Sequence, residues 1–205
     1  MDEAPLIARR DLATVPNLLS IARIIGVSAA VLLYFAGYPV ATLVIGTLAC
    51  LTDHLDGYLA RRLGQETTLG AMLDQAADSY TTAIALAMLV IAGGFPIAFL
   101  LVFLAREFWV GTVRRYAAMR GVEVPSIGRG KVATAFIYWS LLVMAVAVMV
   151  ELPATVATAM RVVSTGGMLV GLALSCSAGW IYTQALAGRR GGTRRVAPCS
   201  CARDR

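Results

Sequence analysis

Four aspartates in a mostly apolar part of the chain constrain its fold more than any other feature. They lie between Leu51 and Tyr80, and long apolar runs flank this stretch on both sides. An ionised side chain at the centre of a membrane-spanning helix costs about 2.5–3.5 kcal/mol on insertion scales. If the flanking runs cross a membrane, these carboxylates therefore need a compensating partner. They are Asp53, Asp56, Asp74 and Asp78.

The composition favours a membrane protein. Of the 205 residues, 59% are hydrophobic, and the mean hydropathy is +0.74, which a soluble domain of this length does not show. The net charge of +6 comes from basic residues clustered between the apolar runs, as expected beside anionic lipid. We therefore expect membrane lipids as partners and no nucleic acid.

The spacing of the aspartates predicts a helical hairpin. Asp53 and Asp56 are three residues apart, and Asp74 and Asp78 are four apart, so each pair lies on one helix face. A polar stretch around Gln65 contains a helix-breaking glycine and reads as the turn between the helices. Folding the chain there places all four carboxylates at nearly one depth, about 14–19 Å from the turn less the loop length.

Carboxylates gathered in this way indicate a metal site. Four of them cannot all stay ionised without a cation nearby. Oxygen ligands suit hard cations, so we predict two Mg²⁺ ions, with Mn²⁺ as the alternative metal. Two such ions form a clamp that serves phosphoryl transfer. The other interpretation is an ion or proton route, or carboxylates that pair with arginines of other helices.

The aspartates are part of a longer pattern. The chain reads Asp53-x2-Asp56-Gly57-x2-Ala60-Arg61-x8-Gly70-x3-Asp74-x3-Asp78. All eight fixed positions match the signature of the CDP-alcohol phosphatidyltransferases, and the chain resembles that family. The resemblance implies a six-helix membrane enzyme that moves a phosphatidyl or phospho-alcohol group from a CDP-linked donor to an alcohol and releases CMP. It also implies that the four aspartates bind two metals and that Asp78 is the catalytic base.

The resemblance further implies a set of contacts to the CDP-lipid. In that family Gly57, Arg61 and Thr67 would contact the CDP portion, and Gly70 would keep the backbone close to the nucleotide. A second element, Pro-Asn-x-x-Ser-x-x-Arg, opens the first apolar run, and its first four residues would line the same site. Helix packing, a membrane anchor or a plain helix start are the alternative roles for these residues. The four residues are Pro16, Asn17, Leu18 and Leu19.

Basic residues on later helices suggest where an acceptor would bind. Arginine and lysine bind phosphate well, so these cations could hold glycerol 3-phosphate. Arg106 with Glu107 could instead be a structural pair, and the others could be membrane anchors. Phosphatidylglycerophosphate synthases often read Gly-Lys-x-Lys-Thr, whereas this chain has Ala133 in place of the second lysine. The cardiolipin synthases of the family also lack that lysine. The candidate acceptor-binding residues are Arg106, Arg114, Arg115 and Lys131.

The whole chain is predicted to be an all-α integral membrane protein with six transmembrane helices. Their predicted ranges are about 16–38, 40–62, 68–92, 97–119, 132–150 and 154–186. Residues 1–15 form an amphipathic segment, 16–187 the six-helix domain, and 188–205 a disordered basic tail in which Cys199 and Cys201 have no assigned role. We expect a basic loop from Arg120 to Lys131. Turns are predicted at Gly37–Pro39, Gly93–Pro96 and Glu151–Pro153, and none of them carries a lysine or arginine. The positive-inside rule therefore places both termini and the active site on the cytoplasmic face of a bacterial inner membrane. Dimers are common in the family, so a homodimer is expected by analogy.

These observations favour one function with two alternatives. The first is a transferase that moves the phosphatidyl group of CDP-diacylglycerol to glycerol 3-phosphate in phospholipid biosynthesis. A cardiolipin synthase would use phosphatidylglycerol as the acceptor instead. A transporter would use the carboxylates as an ion or proton route, but such proteins usually show inverted repeats, and the sequence shows no convincing repeat.

Overall fold

The computed structural model describes the backbone of residues 15–63, 68–120 and 128–188. Side chains are described for these residues apart from those at 15–16, 52–63, 68–69, 71, 118, 129 and 185–188. The predicted amphipathic segment before residue 15, Thr67 in the hairpin turn, and the predicted tail from 189 with its two cysteines lie outside the described residues. Those predictions stay untested.

The described residues form six helices and confirm the all-α prediction. Helices begin and end within a few residues of the predicted positions, except that the fifth begins at Gly128, inside the expected basic loop. Lys131 is therefore a helical residue in the first turn of that helix, not a loop residue. The helices are α1 (Val15–Phe35), α2 (Pro39–Leu63), α3 (Thr68–Ile91), α4 (Ile97–Met119), α5 (Gly128–Met149) and α6 (Ala154–Gly188).

Three segments within these helices are long and apolar enough to cross a membrane. They are Asn17–Phe35, Gly130–Met149 and Ala154–Gln184. Helices α2, α3 and α4 each combine an apolar half with a half that carries charged residues. The part of α2 whose side chains are described contains the shorter apolar segment Pro39–Leu51.

Glycines shape the two tight turns on one side of the bundle. Gly37 follows α1 with a φ of +84°, and Gly93 follows α3 with a φ of +71°. This left-handed backbone is strained for residues with a Cβ atom. The amide of Gly37 donates to the carbonyl of Tyr34, and that of Gly93 to Val90, at 3.0 and 3.1 Å. These turns bring α2 back beside α1 and α4 back beside α3.

The closest helix pair is α5 with α6, and small residues allow its tight packing. A Cβ atom on Gly167 would lie 2.6 Å from the Ser140 hydroxyl oxygen, and one on Gly171 would lie 2.8 Å from an Ile137 side-chain carbon. The Ser164 hydroxyl also donates to the carbonyl of Ser140 at 2.7 Å. In lipid, helices associate through such close packing and interhelical hydrogen bonds. The pair therefore holds α5, which carries several site residues, in a fixed position.

The buried core lies between α3, α4, α5 and α6. Phe95 and Phe99 meet edge to face, with ring centroids 5.6 Å apart. Apart from Phe103, the other side chains of this core are aliphatic residues and methionines. The core residues are Leu86, Leu89, Phe95, Phe99, Phe103, Ile137, Leu141, Met144, Met149, Met168 and Leu172.

Candidate active site

The second pair of aspartates lies on one face of α3. The side chains of Asp74 and Asp78 are 50% and 42% exposed, and both contact the same partner. The i, i+4 spacing predicted this shared face, and the described structure places both carboxylates there. The two carboxylates thus form a charged group in an otherwise apolar helix bundle.

Their partner is Arg23 of α1. Its Nη1 atom donates to Oδ1 of Asp78 at 2.5 Å, and its Nη2 atom lies 3.6 Å from Oδ1 of Asp74. The arginine side chain is only 1% exposed, so it reaches the carboxylates from inside the bundle. Arg23 thus comes from a different helix than the predicted hairpin. Pairing with an arginine of another helix was the alternative interpretation, and the structure shows it for these two residues.

The first pair of aspartates lies on α2, but their side chains are outside the described set. The meeting of Asp53 and Asp56 with the second pair therefore stays a prediction. Among the described side chains there is no group of three or more His, Cys, Asp or Glu that could hold a metal. The carboxylates of Asp74 and Asp78 do fit a hard cation, because they supply oxygen donors and keep about half of their surface exposed.

A polar cavity of about 240 Å³ opens beside Asp78 between α3, α4, α5 and α6. It contains three of the four predicted acceptor-binding cations, namely Arg106, Arg114 and Lys131. Arg115, the fourth, is exposed and does not appear among the residues that line this cavity. Adjacent residues of a helix point about 100° apart, so Arg114 and Arg115 cannot both face it. The cavity can thus hold an anion within reach of a carboxylate.

A chain of polar contacts joins α3 to Arg106. The hydroxyl of Ser79 donates to one carboxylate oxygen of Glu107 at 2.6 Å, and Arg106 donates to the other. Both members of the pair are less than one-quarter exposed and line the polar cavity. The ion pair that the sequence offered as an alternative is therefore present, at the wall of the polar cavity.

Arg114 is positioned by an aromatic ring of α6. Its guanidinium carbon lies 5.5 Å from the ring centroid of Tyr182, which is buried. A cation at this distance from a ring is attracted by the negative face of the π-system. Tyr182 is thus an interior residue that contacts a cation of the polar cavity.

A second cavity, of about 500 Å³, is almost wholly apolar and lies between α1, α2, α3 and α5. Along α5 its walls run from Lys131 to Met149, which is about 27 Å at 1.5 Å per residue. Gly46 and Cys50 of α2 line it. The two cavities meet beside Asp78, because both are lined by four common residues. These are Thr82, Lys131, Thr134 and Tyr138.

The comparisons with known proteins agree with this arrangement. A sequence model of the CDP-alcohol phosphatidyltransferase family matches residues 13–177. The chain belongs to this family. The match covers α1 to α5 and most of α6. It therefore includes every aspartate of the motif and every residue that lines either cavity except Tyr182.

Similar curated proteins are phosphatidylglycerophosphate synthases by name. A CDP-diacylglycerol–glycerol-3-phosphate 3-phosphatidyltransferase of Rickettsia bellii is 35% identical over 54% of this chain and 62% of its own length. A probable phosphatidylglycerophosphate synthase of Mycobacterium tuberculosis is 35% identical over 62% of this chain and 63% of its own. A CDP-diacylglycerol–glycerol-3-phosphate 3-phosphatidyltransferase of Salmonella choleraesuis is 33% identical over 61% of this chain and 76% of its own length. The chain thus spans less than two thirds of the length of the Rickettsia and Mycobacterium proteins.

The structure describes only part of the predicted CDP-lipid contacts of this CDP-alcohol phosphatidyltransferase. Asn17 is buried, Leu18 is 58% exposed and Leu19 is half-buried, while Gly70 is half-buried on α3. The side chains at Pro16, Gly57 and Arg61 are not among those described, and Thr67 lies outside the described residues altogether. Their roles towards the donor remain predictions.

Several residues of the site were missed by the sequence argument. Thr82 and Tyr138 lie where the two cavities meet, with their hydroxyl oxygens 3.4 Å apart, and the Thr82 hydroxyl donates to the Asp78 carbonyl at 2.9 Å. A signal existed for Tyr138, because Lys131, Thr134 and Tyr138 follow a helical spacing of one face. The other missed residues have no signal in the sequence, because they come from separate helices and meet only in the folded protein. These polar residues of the cavity wall are Gln75, Ser79, Ser175 and Tyr182.

Proposed function

We propose that this protein is a metal-dependent phosphatidyltransferase that converts CDP-diacylglycerol and glycerol 3-phosphate to phosphatidylglycerol phosphate and CMP. One observation carries the proposal. A polar cavity that contains three cations and is lined by Asp78 shares four wall residues with an apolar cavity long enough for a lipid chain. Family membership supports a transferase rather than an ion route, and the names of the relatives support glycerol 3-phosphate as the acceptor.

The acceptor binds in the polar cavity. Arg106, Arg114 and Lys131 would hold its phosphate, because guanidinium and ammonium groups give charge-assisted hydrogen bonds to phosphate oxygens. Its free hydroxyl then lies towards Asp78, which lines the same cavity. A cavity of about 240 Å³ suits a small phosphorylated alcohol. Phosphatidylglycerol, the acceptor of a cardiolipin synthase, is the second candidate because Ala133 replaces a lysine of the synthase pattern.

The donor lies with a lipid chain in the apolar cavity. The cavity has a volume of about 500 Å³, runs for about 27 Å along α5 and has mainly apolar walls. It therefore offers the length and the apolar surface that a hydrocarbon chain needs. The length is close to the roughly 30 Å thickness of the hydrocarbon layer. The lipid end of the donor is thereby held with its diphosphate beside the acceptor.

The reaction follows from these positions. Asp78 takes the proton of the acceptor hydroxyl, whose oxygen attacks the lipid-linked phosphorus of the donor. A new phosphorus–oxygen bond forms to the acceptor, and the bond from that phosphorus to the CMP oxygen breaks. The four aspartates of the motif would hold two Mg²⁺ ions, or Mn²⁺, and these ions would stabilise negative charge on the diphosphate and on the departing CMP. Arg106, Arg114 and Lys131 orient the acceptor throughout.

The membrane topology completes the proposal. Helices α2, α3 and α4 cross the membrane beside the three apolar spans, and their charged halves lie at the cytoplasmic face with both termini, as the distribution of basic residues predicts. A homodimer in the bacterial inner membrane is part of the same prediction. Reporter fusions after residue 37 and after residue 93 would test the topology, because both sites should be on the outer side.

A direct assay tests the reaction. Purified protein with CDP-diacylglycerol and Mg²⁺ should release CMP with glycerol 3-phosphate, and mass spectrometry should detect phosphatidylglycerol phosphate. CMP released only with phosphatidylglycerol would favour the second candidate. If no alcohol acceptor gives CMP, the enzymatic proposal fails. Ion flux into liposomes without any CDP-lipid would favour the transporter alternative.

A further inference from the structure

Arg23 differs from the other cations of the site in its burial and in its partners. Its side chain is 1% exposed, whereas the two carboxylates that it contacts are 50% and 42% exposed. It therefore approaches Asp74 and Asp78 from the interior and leaves their outer surface accessible. It extends a buried polar stripe on α1 that begins with Asn17 and Ser20, both at most 2% exposed.

The geometry of the contact involves both carboxylates at once. One terminal nitrogen of Arg23 lies 2.5 Å from Asp78 and the other 3.6 Å from Asp74. A guanidinium is planar and presents its donors in a rigid fork, so it fixes the distance between two groups that it contacts together. A lysine ammonium would supply the charge without this fork. Through Arg23, helix α1 thus sets the orientation of the Asp74 and Asp78 carboxylates on α3.

The contact also changes the charge that a cation would meet. Two carboxylates carry two negative charges, and an adjacent guanidinium reduces the local sum to one. Coulomb attraction falls in proportion to that charge, and it falls little with salt where the groups are partly buried. Arg23 must therefore weaken the attraction of these two carboxylates for any divalent ion. A buried arginine placed there for stability alone would be a weak choice, because desolvation offsets much of its gain.

We infer that Arg23 is a positioning residue that orients Asp74 and Asp78 for the reaction while it weakens their hold on the divalent cation. Removal of Arg23 should then strengthen cation binding and lower turnover. A merely structural arginine would move both in the same direction, because partial unfolding lowers cation affinity and turnover together. The turnover part of this inference rests on the proposed function, whereas the cation part does not.

The experiment compares Arg23→Gln and Arg23→Lys with the unchanged protein. Cation binding is measured without substrate, as the Mn²⁺ and Mg²⁺ concentrations that half-saturate the rise in melting temperature in detergent. Turnover is measured as CMP release at saturating Mg²⁺. Arg161→Gln is the matched control, because Arg161 is exposed on α6 and lines neither cavity. It should change neither quantity.

For Arg23→Gln we expect cation binding to tighten by about three- to tenfold and kcat to fall by about ten- to a hundredfold. For Arg23→Lys we expect cation binding near that of the unchanged protein and a kcat between those of the unchanged protein and Arg23→Gln. Unchanged turnover in Arg23→Gln, or weaker cation binding together with lower turnover, would overturn the inference.

The lysine variant keeps the charge, so it supplies the test if the glutamine variant does not fold. A kcat that falls at unchanged cation affinity supports the positioning role, and an unchanged kcat refutes it. If the unchanged protein released no CMP with any acceptor, the proposed function would fail, and tighter cation binding in Arg23→Gln would still support the electrostatic half. Absence of any cation-dependent rise in melting temperature in the unchanged protein would contradict the inference.

Discussion

The two cavities of this protein share four wall residues but are built in opposite ways. The polar cavity takes its walls from α3, α4, α5 and α6 and contains cations that are fixed by neighbours, such as Arg106 by Glu107 and Arg114 by Tyr182. The apolar cavity is lined mainly by apolar side chains, and at Gly46 an added Cβ would meet nothing within 4 Å. Under the proposed function, the polar cavity recognises the acceptor by orientation and charge, and the apolar cavity recognises the donor by its hydrocarbon chain.

This contrast predicts that variants of the polar cavity change acceptor binding or the rate of the chemical step, whereas variants of the apolar cavity change only donor binding.

The largest effect is expected close to the residues that both cavities share. Asp78→Asn removes the proton acceptor and should lower CMP release by about 10²- to 10⁴-fold. Glu151→Gln is the control, because Glu151 is exposed in the turn before α6. Full turnover in the Asp78 variant, with an unchanged melting temperature, would refute the base assignment.

The second effect should separate acceptor from donor. Arg114→Gln removes a charge-assisted contact to phosphate, so KM for glycerol 3-phosphate should rise by about ten- to a hundredfold, with little change in KM for CDP-diacylglycerol. The assay is CMP release with one substrate varied at a time. Arg120→Gln is the matched control, since Arg120 is exposed and stacks on Tyr116 at the end of α4. Equal changes in both KM values would break the comparison.

The third effect concerns the apolar cavity. Gly46→Val adds a branched side chain to an open part of its wall, so KM for long-chain CDP-diacylglycerol should rise by about five- to tenfold. Donors with shorter chains should be less affected, and KM for glycerol 3-phosphate should stay constant. The control is Gly166→Val, because Gly166 also has open space around it but lies on the exposed side of α6. A loss of acceptor affinity in the Gly46 variant would contradict the assignment of the cavity.

The smallest effect tests the contact that orients Arg106. Ser79→Ala removes the hydroxyl that donates to Glu107, and the net worth of one such bond predicts about a two- to fivefold rise in KM for glycerol 3-phosphate. Ser79→Thr keeps a hydroxyl and should restore most of the affinity. A change in kcat without a change in KM would show that this contact supports the chemical step rather than acceptor binding.

The fold could be predicted from the sequence because helix periodicity, glycine turns and charge bias are local signals. Gly37 and Gly93 marked two turns, and the helices begin and end near the predicted residues. The start of α5 was misplaced because Gly128 and Gly130 favour a loop by composition, although the chain is helical there. Helix packing outweighs such weak local preferences.

The site could be predicted only where it follows sequence spacing. Asp74 and Asp78 share a face because they are four residues apart, and a known motif marks them. Arg23 lies 55 residues before Asp78, and no pattern on α1 states which side chain of α3 it meets. The same holds for Tyr182 beneath Arg114. Pairings between distant helices depend on helix rotation and depth, which a single sequence does not encode in a readable form.

The close approach of α5 and α6 at Gly167 and Gly171 has a consequence for how this protein can diverge. A methyl group at position 167 would clash with Ser140, and one at 171 would clash with Ile137. Replacement of either glycine thus requires a smaller neighbour or a shift of α5, and such a shift would displace Lys131 and Tyr138 from the site. Substitutions at 140 and 167, and at 137 and 171, should therefore be inherited as pairs in related sequences.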